Sequence, residues 1–138
     1  MIPFLKKYLG NIYIPIAWSL VIGVLLSLPG SMLPSEQKFS IPQFDKFVHI
    51  SLFGGFVFLW CLFLSTRPAF TAGKLLRLFF YVFILANVYG IGMEFVQKHI
   101  PFRDYSEADM VADMIGAGLA YGFCNIWLLP VKGTNGEG

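Results

Sequence analysis

The sequence is poor in charged residues. Only 13% of its 138 residues are Asp, Glu, Lys or Arg, whereas soluble domains contain roughly 25%. Hydrophobic residues make up 57% of the chain and aromatic residues 17%. A soluble domain of this size has too much surface to hide so much apolar area. The composition therefore argues against an ordinary soluble domain and indicates that a lipid bilayer is the solvent.

Several common catalytic and binding motifs are missing as well. The sequence contains no GxSxG nucleophile motif, no HExxH zinc motif and no glycine-rich phosphate loop. Cys61 and Cys124 lie in separate apolar stretches, so we expect them to pack as small side chains rather than form a disulfide framework or a thiolate metal site. The net charge of +2 is too small to indicate a nucleic-acid partner.

What the chain has instead is four apolar segments of about 20 residues, each long enough as a helix of about 30 Å to cross a bilayer. They lie at about residues 9–28, 47–66, 78–97 and 108–129. We therefore predict one all-α domain over residues 1–138, an integral membrane four-helix bundle, with a disordered tail at 132–138. The first segment could instead be a signal peptide, because Lys6 and Lys7 precede it. A kink at Pro15 inside that segment is tolerable, because neighbouring helices can satisfy the backbone groups that it frees.

The lysines and arginines predict the orientation of the four spans. One side would carry the six cations Lys6, Lys7, Arg67, Lys74, Arg77 and Lys132, and the other would carry the four cations Lys38, Lys46, Lys98 and Arg103. The side with more cations is expected to face the cytoplasm. We therefore predict a multi-pass protein of the cell (inner or cytoplasmic) membrane with both termini inside and the two long loops outside.

Ionisable side chains interrupt the apolar segments near the end predicted to face outside. His49 lies about one turn into the second segment, Glu94 lies at a similar depth in the third, and Asp113 lies about 7–9 Å into the fourth. These positions are too deep to cap a helix. A carboxylate at the centre of a membrane helix costs roughly 3 kcal/mol or more, so it normally faces a partner or a wet cavity. We predict a polar pocket open to the outer leaflet, with a purely structural charge cluster as the alternative.

Residues at the segment ends extend this polar set. Asp45 lies four residues before His49 and Asp109 four residues before Asp113, so each pair shares one helix face. Asp45 could alternatively cap the start of its helix. Ser106, three residues before Asp109, resembles the start of a capping box.

Histidine together with carboxylates permits two kinds of chemistry. In the first, Asp45, His49, Glu94 and Asp113 are catalytic, His49 transfers protons, and Asp45 fixes its tautomer. In the second, a divalent metal is held by His49, Glu94, Asp109 and Asp113 and polarises a phosphoryl or acyl group. The residues alone leave both chemistries open.

Small residues predict where the helices approach closely. Gly118 and Gly122 form a GxxxG spacing, and other small residues recur at helical intervals, namely Ala112, Gly116, Ala120, Gly54, Gly55, Gly90 and Gly92. Such residues let membrane helices pack backbone to backbone. They indicate packing rather than chemistry.

The polar motifs follow one another in a recognisable order. They are "DKFVH" at 45–49, "GIGMEFVQ" at 90–97, and Arg103 ahead of "DMVADMIG" at 109–116. This order, over about residues 26–121, resembles the VanZ-like family of small multi-pass membrane proteins. Many members of that family have asparagine where this chain has Asp113, so the resemblance leaves the pairing of the charges open.

The resemblance implies a role in the cell envelope, since the family is named for a protein that raises resistance to the glycopeptide teicoplanin. It marks eight positions, and four of them are interpreted as substrate-binding: Lys46, Gln97, Arg103 and Asp109. Two hypotheses follow. The chain is an enzyme that acts on a lipid or lipid-linked envelope precursor, with Arg103 as an anion anchor, or it is a non-catalytic module that binds an amphiphile, a glycopeptide or a membrane partner. A transporter is a third alternative.

Overall fold

The computed structural model describes residues 1–32 and 43–130, and this part of the chain is helical without any strand. It contains five α-helices and one short 3-10 turn, Gly30–Met32. The helices are α1 (Ile2–Leu9), α2 (Tyr13–Ser27), α3 (Phe44–Ser65), α4 (Ala72–Gln97) and α5 (Glu107–Trp127). The prediction of an all-α protein is confirmed for these residues. The predicted tail at 132–138 lies outside them, as do Lys38 and Lys132.

The helix predicted at 9–28 is present in a shorter form, α2, which begins at Tyr13 and ends at Ser27. The residues before it form a separate helix, α1, bent by 75° from α2. The break falls at residues 10–12, where the Asn11 side-chain oxygen accepts a hydrogen bond from the Tyr13 N–H at 3.0 Å. Pro15 does not kink a helix. It is the third residue of α2, where its missing N–H removes no hydrogen bond. The cations Lys6 and Lys7 are therefore part of a short helix rather than of a loop.

The other three predicted helices are present, but two of them begin earlier than predicted. α3 begins at Phe44 and α4 begins at Ala72. The first turns of both helices contain a lysine, Lys46 or Lys74. A search for uncharged stretches leaves these residues out of the predicted segments, although the first turn of a helix tolerates a charged side chain. Thr71 caps α4 by accepting a hydrogen bond from the Lys74 N–H. The prediction that Asp45 caps α3 is wrong, because the cap position is Gln43 and Asp45 lies in the first turn.

Two of the described helices, α3 and α4, are long and apolar enough to cross a membrane. The pair α1 and α2 would add a third span if its two bent parts are counted together. Helix α5 has 21 residues and is not among these candidates. The described part of the molecule therefore has two or three helices long and apolar enough to cross a membrane, which is compatible with a membrane protein.

Helices α3 and α5 approach closely through glycine, as predicted. A Cβ atom added to Gly116 would lie 2.2 Å from the backbone oxygen of Ile50, and one added to Gly54 would lie 3.3 Å from the backbone oxygen of Gly116. Not every predicted contact is present: a Cβ atom at Gly92 or at Gly122 would meet nothing within 4 Å. The GxxxG pair at Gly118 and Gly122 is thus not a close contact among the described residues.

The helix directions sort the charges to two ends of the bundle. Buried apolar side chains fill the space between those ends, among them Phe53, Phe79 and the two cysteines. The polar end gathers the last turn of α2, the start of α3, the end of α4 and the start of α5, and it contains every described Asp and Glu. The basic end carries α1, which contacts the end of α3 at Gly10 and Thr66, and it holds the cations Lys6, Lys7, Arg67, Lys74 and Arg77.

Candidate functional site

The polar end contains a compact group of ionisable side chains from three helices. We call it the polar cluster and define it as Asp45, Lys46, His49, Glu94, Asp109 and Asp113. His49 lies on α3, Glu94 on α4, and both Asp109 and Asp113 on α5. One nitrogen or oxygen atom from each of His49, Glu94 and Asp109 lies within 4.8 Å of the other two. The structure therefore brings together side chains that are 64 residues apart in sequence. Their similar depths in the predicted helices indicated that they would meet.

His49 and Asp113 form the most buried contact of the polar cluster. The Nδ1 atom of His49 lies 2.8 Å from Oδ1 of Asp113, and only 4% and 2% of the two side chains are exposed. The carboxylate that orients the imidazole is thus Asp113, whereas the sequence predicted Asp45 for this role. Gly90 on α4 makes room for the Asp113 carboxylate, because a Cβ atom at Gly90 would lie 2.7 Å from Oδ2 of Asp113.

The other ring nitrogen of His49 faces Asp109. Its Nε2 atom lies 3.8 Å from Oδ2 of Asp109, too far for a hydrogen bond. The second oxygen of Asp109, Oδ1, lies 3.4 Å from Nζ of Lys46, which also contacts Asp45 at 3.0 Å. Lys46 therefore bridges two acids at the outer edge of the cluster, where 30% of its side chain is exposed.

Glu94 enters the cluster from the end of α4 and is 1% exposed. Its Oε2 atom accepts a hydrogen bond from the backbone N–H of Ser106 at 3.1 Å. Its Oε1 atom is buried and has no hydrogen-bond partner among the described residues. Ser106 also caps α5, since its hydroxyl accepts a hydrogen bond from the Asp109 N–H, as the capping-box pattern predicts. Ser106 thus positions both Glu94 and Asp109. Its contact with Glu94 was not predicted from the sequence.

Gln97 and Arg103, predicted to bind substrate, both contact the last turn of α2. Gln97 donates from Nε2 to the Leu26 carbonyl at 3.1 Å. Arg103 donates from Nε to the Leu28 carbonyl and from Nη2 to the Leu25 carbonyl, each at 3.1 Å. Carbonyls at the end of a helix lack partners within it, so these two side chains act as its cap.

The charge of Arg103 still belongs to the electrostatics of the polar end. Burial lowers the pKa of its guanidinium, and the carboxylates of Glu94 and Asp109 act in the opposite direction. A guanidinium remains charged at neutral pH even when partly buried. Arg103 therefore places a positive charge near the cluster while its donors hold α2.

The geometry defines what the cluster can do chemically. A histidine that donates from Nδ1 to a carboxylate has a fixed tautomer and presents Nε2 as a proton acceptor. Three buried carboxylates beside it can also hold a cation. No protein-family model matches the sequence, and no curated protein or solved structure matches it at a significant level. The resemblance to the VanZ-like family accordingly stays a prediction based on the motifs.

Proposed function

We propose that the chain is a VanZ-like multi-pass membrane protein of the cell envelope that acts on a lipid or lipid-linked envelope precursor. The observation that carries the proposal is the buried contact between His49 and Asp113, 2.8 Å long, beside two further buried acids. Burying so many ionisable groups is unfavourable. A site that uses them for proton transfer gives a reason for this arrangement.

In the proposed reaction His49 is the general base and acid. Asp113 accepts the hydrogen bond from Nδ1 and holds the ring, so that Nε2 exchanges the proton with the substrate. Asp109, 3.8 Å from Nε2, stabilises the imidazolium that forms. Lys46 is the lysine of the cluster, and 30% of its side chain is exposed. Its ammonium group would bind a phosphate of a lipid-linked substrate.

We propose the membrane arrangement from the distribution of charge. The bent pair α1 and α2, with α3, α4 and α5, would form four spans, the basic end in the cytoplasm and the polar end outside. Five described cations and no described acid occupy the basic end, the pattern typical of a cytoplasmic surface. Both termini would then lie inside and the polar cluster would face the outer leaflet.

A second candidate function is a non-catalytic membrane module whose buried charges hold the helices together. It is favoured by the way Gln97 and Arg103 donate to α2 carbonyls. It is also favoured by Lys46, which pairs with two acids of the cluster itself. In this reading the cluster replaces apolar packing at one end of the bundle and specifies which helices meet there.

Expression in a teicoplanin-susceptible bacterium separates the two candidates. We expect the wild-type protein to change both the teicoplanin susceptibility and the pool of lipid-linked envelope precursors, measured by mass spectrometry of lipid extracts. His49→Ala and Asp113→Ala should abolish both effects. His99→Ala is the matched control, because His99 is the other histidine of the chain and is exposed.

Protein levels in the membrane and elution as a single species in mild detergent must accompany these measurements. If the inserted and folded His49→Ala protein keeps both effects, the acid–base proposal is wrong. If both variants fail to insert while His99→Ala inserts normally, the structural candidate is favoured.

A further inference from the structure

Each of three side chains in the polar cluster has one donor or acceptor atom held by the protein. Asp113 holds Nδ1 of His49 at 2.8 Å, Lys46 lies 3.4 Å from Oδ1 of Asp109, and the Ser106 N–H holds Oε2 of Glu94 at 3.1 Å. The remaining atoms are Nε2 of His49, Oδ2 of Asp109 and Oε1 of Glu94. We infer that these three atoms bind one divalent transition-metal ion, with Zn²⁺ as the preferred cation.

The unpartnered oxygen of Glu94 is the observation that points to a ligand. The side chain is 1% exposed, and its Oε1 atom has no hydrogen-bond partner among the described residues. Buried polar atoms are normally paired, and an exception calls for an explanation such as an ion or a water. A metal ion between Glu94, His49 and Asp109 would supply the missing partner.

The three side chains are spaced as in a metal site, provided that their ligand atoms move slightly closer together. One potential ligand atom from each of the three side chains lies within 4.8 Å of those of the other two, and Nε2 of His49 lies 3.8 Å from Oδ2 of Asp109. In a tetrahedral zinc site with bonds of about 2.0–2.1 Å, neighbouring ligand atoms lie about 3.3–3.4 Å apart. Ligand atoms as much as 4.8 Å apart would have to approach one another by about 1.5 Å or less to reach this spacing, a movement shared between two side chains.

The contacts behind the three ligands are those of a metal site. A metal-binding histidine usually donates its other ring N–H to a carboxylate or carbonyl, which fixes the ring and strengthens the ligand. Asp113 has this position relative to His49. We therefore assign Asp113 as a positioning residue, which departs from its predicted role as a ligand.

The charge of the cluster calls for a divalent cation. Glu94, Asp109 and Asp113 are buried carboxylates, and the ammonium group within contact distance is that of Lys46 on Asp109. The four acids Asp45, Glu94, Asp109 and Asp113 outnumber the two cations in or near the polar cluster, Lys46 and Arg103. A bound divalent cation would offset this excess of negative charge. An imidazole ligand favours Zn²⁺ over Mg²⁺ or Ca²⁺, which prefer oxygen alone.

Three protein ligands would leave a fourth zinc position open for water or for a substrate oxygen, as in catalytic zinc sites. The inference rests on the site of the proposed function and revises one role there. Nε2 of His49 cannot bind zinc and exchange a proton at the same time, so in the zinc-bound protein His49 and Asp109 would hold the metal, and a zinc-bound water would supply the acid–base chemistry. Metal binding can nevertheless be measured without any substrate, so the two claims fail separately.

The test uses the full chain purified in mild detergent without chelators. We expect about one equivalent of zinc per chain by elemental analysis after incubation with Zn²⁺ and removal of the excess. A Co²⁺ titration should give the visible absorption of a tetrahedral site. Competition should show Zn²⁺ binding at least tenfold tighter than Mg²⁺.

Variants assign the ligands. His49→Ala, Glu94→Gln and Asp109→Asn should each lower bound zinc to less than one fifth of an equivalent, whereas Asp113→Asn should weaken binding about tenfold. His99→Ala and Glu107→Gln are the matched exposed controls and should bind one equivalent. The absence of a Co²⁺ spectrum from folded wild-type protein overturns the inference, and so does zinc retained in His49→Ala.

Loss of the envelope phenotype in His49→Ala without metal binding by the wild type would contradict only the zinc inference. Metal binding without any phenotype would contradict only the proposed function.

Discussion

The imidazole of His49 and the carboxylate of Asp113 join α3 to α5 through a buried contact of 2.8 Å. The contact lies about one helical turn from the place where Gly116 lets α5 approach the backbone of Ile50. Close backbone packing and a buried polar contact therefore occur side by side. Neither side chain can move away without leaving the other buried and without this contact.

We predict that this pair is energetically coupled. His49→Ala should lower the free energy of unfolding by about 3–5 kcal/mol, because it leaves a buried carboxylate without its partner. Asp113→Asn should cost about 1 kcal/mol, because the amide oxygen can still accept the Nδ1–H. Unfolding in mixed micelles measures these values, and the double variant gives the coupling.

The expected coupling between the two sites is about 1–3 kcal/mol. His99→Ala should change the free energy of unfolding by less than about 0.5 kcal/mol, as for other exposed sites. Additive effects of His49→Ala and Asp113→Asn would contradict the direct contact.

The sequence was sufficient to predict the meeting of His49, Glu94 and Asp113. Apolar segments of membrane length fix the depth of each side chain, and alternating helix directions bring those depths to one end. Which carboxylate contacts His49 was not predictable in the same way. Asp45 is close to His49 along α3, but helix rotation and the gap at Gly90 decide that Asp113 reaches the ring.

The break between α1 and α2 was missed for a different physical reason. Hydrophobicity averaged over a span does not register a bend at Gly10 and Asn11, although Asn11 provides a local acceptor for the Tyr13 N–H. The contacts of Gln97 and Arg103 with α2 were also missed. They join residues more than 70 positions apart in sequence, and no local pattern encodes such contacts.

We predict that Arg103 stabilises the end of α2 through its hydrogen-bond geometry and not only through its charge. Arg103→Lys keeps the charge but cannot reproduce the two donors directed at the Leu25 and Leu28 carbonyls. The free energy of unfolding should fall by about 1–2 kcal/mol. Amide hydrogen exchange should rise at residues 22–28.

Lys98→Ala is the control for this prediction, because Lys98 is an exposed neighbour and its loss should leave the exchange of α2 unchanged. If Arg103→Lys leaves both stability and exchange unchanged, Arg103 does not cap α2, and a role for its charge alone is favoured.

We predict that two glycines of α5 respond oppositely to the same substitution. Gly116→Ala places a methyl group 2.2 Å from the Ile50 oxygen, so α3 and α5 must separate, at a cost of about 1–3 kcal/mol. Gly122→Ala meets nothing within 4 Å and should stabilise the helix by about 0.5–1 kcal/mol. Thermal unfolding in one detergent ranks both against the wild type. A stabilising Gly116→Ala would contradict the close approach of the two helices.

The membrane orientation gives the last prediction, which concerns the two ends of the bundle. Asp104 and Ala69 are both exposed, the first near the polar cluster and the second between α3 and α4 at the basic end. In intact cells a membrane-impermeant maleimide should label Asp104→Cys, because the polar end is proposed to face outside. It should label Ala69→Cys only after the cells are permeabilised.

The native thiols of Cys61 and Cys124 are buried and should remain unlabelled, which the wild-type protein checks. The reverse pattern would place the polar cluster in the cytoplasm, and an outer-leaflet substrate would then be excluded. Equal labelling of both variants in intact cells would mean that α4, which joins the two ends, does not cross the membrane. The proposed membrane arrangement would then be wrong as a whole, whereas the contact between His49 and Asp113 would be unaffected, because it depends only on the packing of α3 against α5.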